Sequence, residues 1–206
     1  MKQNNIAVFA SGSGTNAQNL IEYFNTPSRA EENRSGNPGS RGRITLVISN
    51  RPDAYVLQRA RRAGVETCVL SREELCGSRI QTLAGVLREH RIDYLLLAGY
   101  LLKVPPEIIR LYPGRIINIH PALLPAYGGK GMYGMHVHRA VVAAGEKRSG
   151  ITVHLVDEHY DHGKTLFQAE CIVDPADTPE DVAAKIHELE QAHFPQAVDR
   201  YLQENQ

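Results

Sequence analysis

The chain has 206 residues, 42% of them hydrophobic, which is enough for one α/β domain with a full core. Lys and Arg total 23, as do Asp and Glu, so no net field favours nucleic acid as a partner. Three cysteines without C-x-x-C spacing indicate reduced thiols, not disulfides or a zinc site. The N-terminus turns polar before a signal sequence could form, and no apolar run reaches about 18 residues. We therefore expect a cytoplasmic protein without a membrane partner.

Short apolar runs alternate with longer amphipathic stretches through the first part of the chain. Five of these runs predict strands: IAVFA (6–10), ITLVIS (44–49), TCVL (67–70), YLLLAG (94–99) and IINIH (116–120). Helices are expected after most of them, and such alternation is typical of right-handed βαβ units. The fold class is therefore α/β, a Rossmann-like open and mostly parallel sheet flanked by helices.

Two internal helices carry end signals. The helix predicted over 54–63 ends at Gly64, a residue suited to the position after a helix. A second helix is predicted over 72–90, with Ser71 as its N-cap and Glu74 three residues later, as in a capping box.

The pattern changes towards the C-terminus. Runs 151–156 and 165–174 contain interspersed polar residues and predict an antiparallel pair at the sheet edge. A last helix is predicted over about 180–202, with Thr178 as N-cap and Pro179 at its first position. By contrast, segment 26–43 is rich in Gly, Ser, Pro and charge, which predicts an exposed, mobile loop.

The segment FASGSGTN joins the first strand to the first helix through two glycines. Gly12 and Gly14 allow the backbone to approach a ligand, and the N–H groups at the start of the helix favour an anion. The spacing Gly12-x-Gly14-x-x-Ala17 also fits a loose dinucleotide fingerprint, although no acidic residue follows at the expected distance. A phosphomonoester site, a dinucleotide site and a merely tight turn all remain open on residue types alone.

The segment NIHP places two polar side chains at the end of a buried strand. Asn118 and His120 share one face of the strand, and ligands of open parallel sheets bind at the carboxyl ends of the strands. An amide and an imidazole together could stabilise a developing oxyanion. Asp161, in the loop of YDHG, could orient His120 and favour its imidazolium. The alternatives are polar groups that satisfy backbone before Pro121, and a turn aspartate.

Nine histidines raise the hypothesis of a metal site. The candidates are His136, His138, His154, His159 and His162, but no spacing matches a known metal motif. We expect no metal, and we expect His136 and His138 to lie on the surface at the start of a helix.

Six segments, taken in order, resemble the phosphoribosylglycinamide (glycinamide ribonucleotide) formyltransferases of purine biosynthesis: SGSGTN, ISNRPDA, LAGYL, NIHPALLP, GITVHLVDE and YDHG. The resemblance spans nearly the whole chain. It implies a folate-dependent one-carbon transferase that acts on small-molecule substrates, with 10-formyltetrahydrofolate as co-substrate. It also implies one domain over 1–206, divided into a phosphate-binding half (1–100) and a folate-binding and catalytic half (101–206).

The resemblance assigns roles residue by residue. The implied catalytic residues are Asn118, His120 and Asp161. The implied contacts of glycinamide ribonucleotide are Gly14, Thr15 and Asn16 with the phosphate, and His187 and Glu190 with the ribose and glycinamide end. The implied folate-binding residues are Leu101, Leu102, Lys103, Val104, Asn118, His154, Asp157 and Asp161. Formyl transfer would pass through a tetrahedral oxyanion that His120 and Asn118 stabilise, with Asp161 assisting.

Some features remain open at this point. Arg72 and Arg79 both compete for the folate glutamate, and loop 126–135 is longer than expected for the family. The role of segment 26–43 is undetermined, as is the choice between a monomer and a homodimer. Loop 126–135 is expected to be mobile and to lie beside the folate.

Three rival functions use some of the same features. Methionyl-tRNA formyltransferase has a related core, but a further C-terminal domain and a basic surface are expected of it. Formyltetrahydrofolate hydrolase is expected to carry an additional N-terminal regulatory domain. An NAD-dependent oxidoreductase would use the glycine loop but would not require Asn118, His120 and Asp161 together.

Overall fold

A computed structural model of the protein describes residues 3–26 and 41–205. Its centre is one sheet of seven strands: β1 Asn4–Phe9, β2 Gly42–Ser49, β3 Glu66–Val69, β4 Tyr94–Leu97, β5 Ile116–His120, β6 Arg148–Leu155 and β7 Thr165–Ile172. The spatial order is β3-β2-β1-β4-β5-β6-β7. Pairs from β3 to β5 are parallel, whereas β6 and β7 are antiparallel. The predicted fold class and the antiparallel edge pair are confirmed.

Helices cover both faces of this sheet. They are α1 Thr15–Asn25, α2 Tyr55–Arg62, α3 Arg72–Cys76, α4 Ile80–Glu89, α5 Pro106–Leu111, α6 Met135–Ala143 and α7 Pro179–Glu204. Alternate residues of β1 enter different cores: Ile6 and Val8 pack with α1 and α7, whereas Ala7 and Phe9 pack with α4 and α5. Strand order reverses between β1 and β4, so a crevice opens at the carboxyl ends of these central strands.

Predicted helix ends agree with the structure at two places. Thr178 caps α7, accepting from the Asp181 amide while the Asp181 side chain accepts from the Thr178 backbone. Ser71 and Glu74 form the predicted capping box of α3. Local side-chain hydrogen bonds decide both ends, and such bonds can be predicted from sequence alone.

The single helix predicted over 72–90 is wrong, because the chain leaves helical geometry at Gly77. The Glu73 carboxylate accepts from both the backbone amide and the hydroxyl of Ser78, each at 3.1 Å. A Cβ at Gly77 would collide with Glu73. These bonds replace helical hydrogen bonds locally and produce two short helices, α3 and α4.

The loop predicted over 26–43 lies mostly outside the described residues. The predicted loop extends too far at its C-terminal end, because β2 already begins at Gly42. The Asn25 side chain holds the beginning of β2 through two hydrogen bonds with the Ile44 backbone. Its Nδ2 donates to Ile44 O at 2.8 Å, and its Oδ1 accepts from Ile44 N at 2.9 Å. Among helices in the two described ranges, none is both long and apolar enough to cross a membrane.

Candidate active site

A cleft of about 600 Å³ opens at the carboxyl ends of β4 and β5. Segment 99–104, which follows β4, lines the cleft, and β5 contributes Asn118 and His120. Helix α7, loop 129–134 and the connection from β6 to β7 complete the lining. The crevice expected from the strand order is therefore present, and it contains the three residues of the predicted catalytic set.

Asn118 is held by a neighbouring strand. It lies opposite His154 in the antiparallel pairing of β5 with β6. The distance from Asn118 Nδ2 to His154 Nε2 is 3.0 Å, and His154 Nδ1 lies 2.8 Å from Leu155 O. A carbonyl can only accept, so Nδ1 of His154 carries a proton. The His154 ring thus orients the Asn118 amide in the cleft.

His120 is only 3% exposed, and each of its ring nitrogens has a different neighbour. Nε2 lies 2.8 Å from Tyr127 O, so this nitrogen donates to the carbonyl. Nδ1 lies 3.7 Å from Asp161 Oδ2, within ion-pair range but too far for a hydrogen bond. The predicted proximity of Asp161 to His120 is confirmed.

Asp161 is fixed at its place by loop 126–135. Its Oδ2 accepts from Gly129 N at 2.8 Å, and its Oδ1 lies 3.6 Å from His154 Nε2. The backbone of Asp161 is left-handed, with φ 56°, which directs the carboxylate back towards β5 and β6. Asp161 therefore faces both His120 and His154.

Burial and neighbouring charges shift the pKa values of His120 and Asp161 in opposite directions. Burial lowers the pKa of His120 below its usual value, although Asp161 and the Tyr127 carbonyl act to raise it. Burial would raise the pKa of Asp161, but bonds from His154 and Gly129, with the charges of both histidines, hold that pKa below its usual value. The pKa of His120 therefore opposes the sequence expectation that Asp161 keeps this residue protonated, because desolvation is the largest effect.

The glycine turn begins α1 as predicted. Gly14 is the N-cap with φ 77°, and a Cβ there would collide with Val56 of α2, so only glycine fits. No side chain caps this end of α1, and its first turn contains no acidic residue. An anion would find unopposed N–H groups there. Asn16 lines the cleft, whereas Gly14 and Thr15 lie outside its lining.

The side chain of Asn16 is committed to α7. Its Nδ2 donates to Glu190 Oε2 and its Oδ1 accepts from Gln191 Nε2, each at 2.8 Å. Glu190 Oε2 also lies 3.5 Å from His187 Nδ1, and this carboxylate raises the pKa of His187. His187 and Glu190 both line the cleft, so the first helix and the last helix meet at this end. Any contact of Asn16 with an anion would be through its backbone.

Another part of the cleft lining contains the predicted folate wall. All of the predicted folate-wall residues, Leu101 to Val104, line the cleft, as do His154 and Asp157. Val104 is buried against the core, while Leu101 is 53% exposed and free to cover a ligand. Lys103 lies over the Tyr160 ring, with Nζ 5.2 Å from the ring centroid. The charged end of Lys103 therefore lies over an exposed ring, although the residue is part of the cleft lining.

His138 is a cleft residue whose position was predicted incorrectly. It lies in the first turn of α6, as expected, but it is only 5% exposed. The residue lines the cleft, and its Nδ1 has no hydrogen-bond partner. Burial lowers the pKa of His138. Val137 and Val141 mark the buried face of α6, and His138 stands beside that face. That apolar spacing was the signal for its burial; His136 is exposed as predicted.

Two further predictions concern the folate glutamate and a metal site. Neither Arg72 nor Arg79 is part of the described lining, and Arg79 instead lies 3.8 Å from Glu74 and donates to Ser71 Oγ at 3.3 Å. Among the described residues, no three His, Cys, Asp or Glu side chains are grouped as metal ligands. His159 borders the cleft mouth, with its ring 6.0 Å from that of His162.

The fold and cleft define an α/β protein with an uncapped helix start after the glycine turn and with an asparagine, a histidine and an aspartate together at the strand ends. The model of a family described as "Formyl transferase" matches residues 4–198. The chain therefore belongs to the formyl transferase family.

Relatives of known name share this family. The chain is 39% identical over 188 residues to the chloroplastic phosphoribosylglycinamide formyltransferase of Arabidopsis thaliana, covering 90% of this chain and 61% of that protein. It is 33% identical to the phosphoribosylglycinamide formyltransferase of Haemophilus influenzae, covering 92% of this chain and 83% of the other. It thus spans about three fifths of the plant relatives, 61% and 62%.

Solved structures give the same result for the fold. The phosphoribosylglycinamide formyltransferase of Anaplasma phagocytophilum superposes with a TM-score of 0.84 at 32% identity, covering 98% of this chain and 88% of that chain. The glycinamide ribonucleotide transformylase 1 of Symbiobacterium toebii superposes at 0.82 with 35% identity, covering 98% and 88%. The family resemblance stated from the sequence motifs is confirmed.

Proposed function

We propose that this protein transfers the formyl group of 10-formyltetrahydrofolate to the amine of glycinamide ribonucleotide, a step of purine biosynthesis. The observation that carries the proposal is the convergence of Asn118, His120 and Asp161 in one cleft. That cleft has an apolar wall at one end and an uncapped helix start near the other. The named relatives support the same reaction.

The two substrates would enter from opposite ends. The phosphate would bind the N–H groups at the start of α1, with Gly14 allowing its close approach and Thr15 and Asn16 contributing backbone donors. The ribose hydroxyls would bind His187 and Glu190, which line the cleft together. The uncharged pterin would bind against Leu101 to Val104, with Asp157 and His154 at its polar edge. The formyl carbon would then lie between these ends.

Acid–base chemistry follows from the state of His120. Because burial lowers its pKa, the ring is neutral at neutral pH, with Nε2 protonated towards Tyr127 O and Nδ1 able to accept a proton. As the amine nitrogen bonds to the formyl carbon, His120 Nδ1 takes the amine proton. Asp161 stabilises the imidazolium that forms, 3.7 Å away.

The oxyanion of the tetrahedral adduct would accept hydrogen bonds from the Asn118 amide and the protonated His120. His120 then returns its proton to N10 of the folate as the bond between that nitrogen and the formyl carbon breaks. The proton lost by the amine thus ends on tetrahydrofolate, and the formyl group ends on the ribonucleotide. The step requires no metal or redox cofactor.

The expected partners, location and oligomeric state are part of this proposal. We propose small-molecule substrates, a cytoplasmic location, and a monomer or homodimer without nucleic acid. The division into a phosphate-binding half and a folate-binding half remains a prediction, although the cleft takes residues from both, such as Asn16 and Asp161.

The experiment supplies 10-formyltetrahydrofolate with three competing acceptors: glycinamide ribonucleotide, water and formylatable tRNA. We expect formyl transfer only to the ribonucleotide, with His120→Ala losing it. His90→Ala, which changes a histidine paired with Glu66 on the opposite side of the sheet, is the matched control. Folate deformylation without the ribonucleotide would identify a hydrolase. Formylated tRNA, or no folate turnover at all, would also contradict the proposal.

A further inference from the structure

We propose that Tyr127 and Glu146 are positioning residues that fix the tautomer and the orientation of His120, acting through the backbone carbonyl of Tyr127. The inference rests on the proposed formyl transfer, in which His120 Nδ1 must be the nitrogen that accepts the proton. Neither Tyr127 nor Glu146 contacts the reacting atoms in this scheme. Their role would be to keep Nε2 occupied.

The first step is the bond at Nε2. A backbone carbonyl has no proton to give, so the 2.8 Å contact between His120 Nε2 and Tyr127 O requires the proton on Nε2. In the neutral ring, Nδ1 is then the basic nitrogen, on the side that faces Asp161. If the carbonyl turned away, the proton could move to Nδ1, where the nearby carboxylate would favour it. The ring would then present the wrong nitrogen as base.

The second step is what aims this carbonyl. Tyr127 has φ 55°, a left-handed conformation that non-glycine residues rarely adopt, so the surroundings must hold it. On its C-terminal side, a Cβ at Gly128 would lie 2.6 Å from Leu124 Cδ2 and 3.2 Å from Asp161 Cβ. Gly129 N donates to Asp161 Oδ2 at 2.8 Å. Residues 127–129 therefore contact both His120 and Asp161 and set the spacing between them.

The third step is the anchor of the tyrosine. The Tyr127 hydroxyl donates to Glu146 Oε1 at 2.8 Å. Glu146 follows α6, whose Val137 and Val141 are packed in the core, so the hydroxyl ties the segment to a fixed element. The charges that act on His120 are those of Asp161, His154 and Glu190. Glu146 is not among these, so its influence would pass through the hydrogen bond to Tyr127.

The variants separate this bond from general stability. Tyr127→Phe removes only the hydroxyl, and Glu146→Ala removes its acceptor. Glu146→Gln retains an acceptor oxygen and should restore the behaviour of the native protein. Tyr201→Phe is the matched control, because its hydroxyl also makes one 2.8 Å hydrogen bond, to Gly114 O, far from the cleft.

The direct measurement is nitrogen NMR of the protein labelled at its histidines. We expect His120 of the native protein to be neutral at neutral pH with its proton on Nε2. In Tyr127→Phe and Glu146→Ala the His120 signals should shift towards the Nδ1-protonated form, but not in Glu146→Gln or Tyr201→Phe. A native ring with its proton on Nδ1, or variants with unchanged His120 signals, would overturn the proposal.

Kinetics give the second readout. Tyr127→Phe and Glu146→Ala should lower kcat by about threefold to tenfold, the loss expected for one hydrogen bond, while KM for both substrates changes little. Glu146→Gln should recover most of kcat. Equal losses in Tyr201→Phe would indicate a merely structural effect and contradict the inference. Because the NMR signals need no turnover, they test the positioning role even if the formyl transfer proposed above proves wrong.

Discussion

Two histidine–carboxylate pairs of the cleft have almost equal separation, but the pKa values of their histidines shift in opposite directions. His120 and Asp161 are 3.7 Å apart, with His120 Nδ1 facing Asp161 Oδ2, and their side chains are 4% and 13% exposed. His187 and Glu190 are 3.5 Å apart, but the His187 side chain is 45% exposed. The pKa of His120 is lowered and that of His187 is raised. At His120 burial outweighs the charge of Asp161, whereas at the half-exposed His187 the hydrogen bond with Glu190 outweighs burial.

This difference matches the two tasks in the proposed reaction. A base that must accept a proton at neutral pH is best kept neutral, as at His120. A residue that binds hydroxyl groups of a polar substrate can carry a proton and remain hydrated, as at His187. The predictions below test the comparison, starting with the largest expected effect.

His120→Ala should lower kcat by about 10²- to 10⁴-fold, the range for loss of a general acid–base group. Binding of glycinamide ribonucleotide should be nearly unchanged, because its predicted contacts lie at α1 and α7. Turnover and calorimetric binding of the ribonucleotide check the two parts. Near-native turnover in this variant would remove His120 from the mechanism.

Asp161→Asn should lower kcat by roughly 10²-fold, since the imidazolium that forms loses its neighbouring charge. Asp161 acts to raise the pKa of His120, so its removal should lower that pKa further. The acid limb of the pH–rate profile should consequently move to lower pH. A limb that moves to higher pH would show that Asp161 does not act on His120 in this way.

The native pH–rate profile distinguishes a neutral His120 from a charged one. If the neutral ring is the active form, kcat/KM rises with pH on a limb below 6.5, the usual value for histidine, and is level at neutral pH. If the imidazolium were needed in the free protein, kcat/KM would instead fall as pH rises through that same low pKa. Rates measured from pH 5 to 8 separate these outcomes.

Gly14→Ala should damage the other end of the cleft. The new Cβ would collide with Val56, and φ 77° is strained for alanine, so we expect about 1–3 kcal/mol of destabilisation. KM for the ribonucleotide should rise while folate binding is retained. Gly64→Ala, with φ 70° but open space around its Cβ, is the control that shares the strain without the collision. Equal effects in the two variants would assign the loss to backbone strain alone.

His187→Gln should have the smallest effect, a rise of a few fold in KM for the ribonucleotide, because this half-exposed side chain makes a screened contact. The folded pKa of His187 is raised, so its stabilising contribution is fully present below about 6.5 and is lost as pH rises through the folded value. Chemical denaturation at acid and alkaline pH should therefore show a difference between native and variant only at acid pH. A difference confined to alkaline pH would contradict the assigned sign.

Much of this architecture is predictable from local pattern. The strand runs and the capping boxes at Ser71 and Thr178 depend on neighbours within a few residues, whereas the space that requires glycine at position 14 is limited by Val56 of α2. The period of two along β5 places Asn118 and His120 on one face without any knowledge of the rest of the chain. Errors arose where a side chain competed with the backbone, as at Glu73 and Ser78, which divide the predicted helix.

Sequence alone therefore determined the fold class and the family, and it predicted the three residues proposed here as catalytic, because each is encoded in local periodicity or in motif order. Only the tertiary structure decided that His138 is buried, that the Asn16 side chain serves α7, and that Tyr127 engages His120. The tertiary structure also decided that the pKa of His120 is lowered, because desolvation by distant parts of the chain outweighs the charge of Asp161. Such effects depend on which groups surround an atom in space, and that cannot be deduced from the order of residues along the chain.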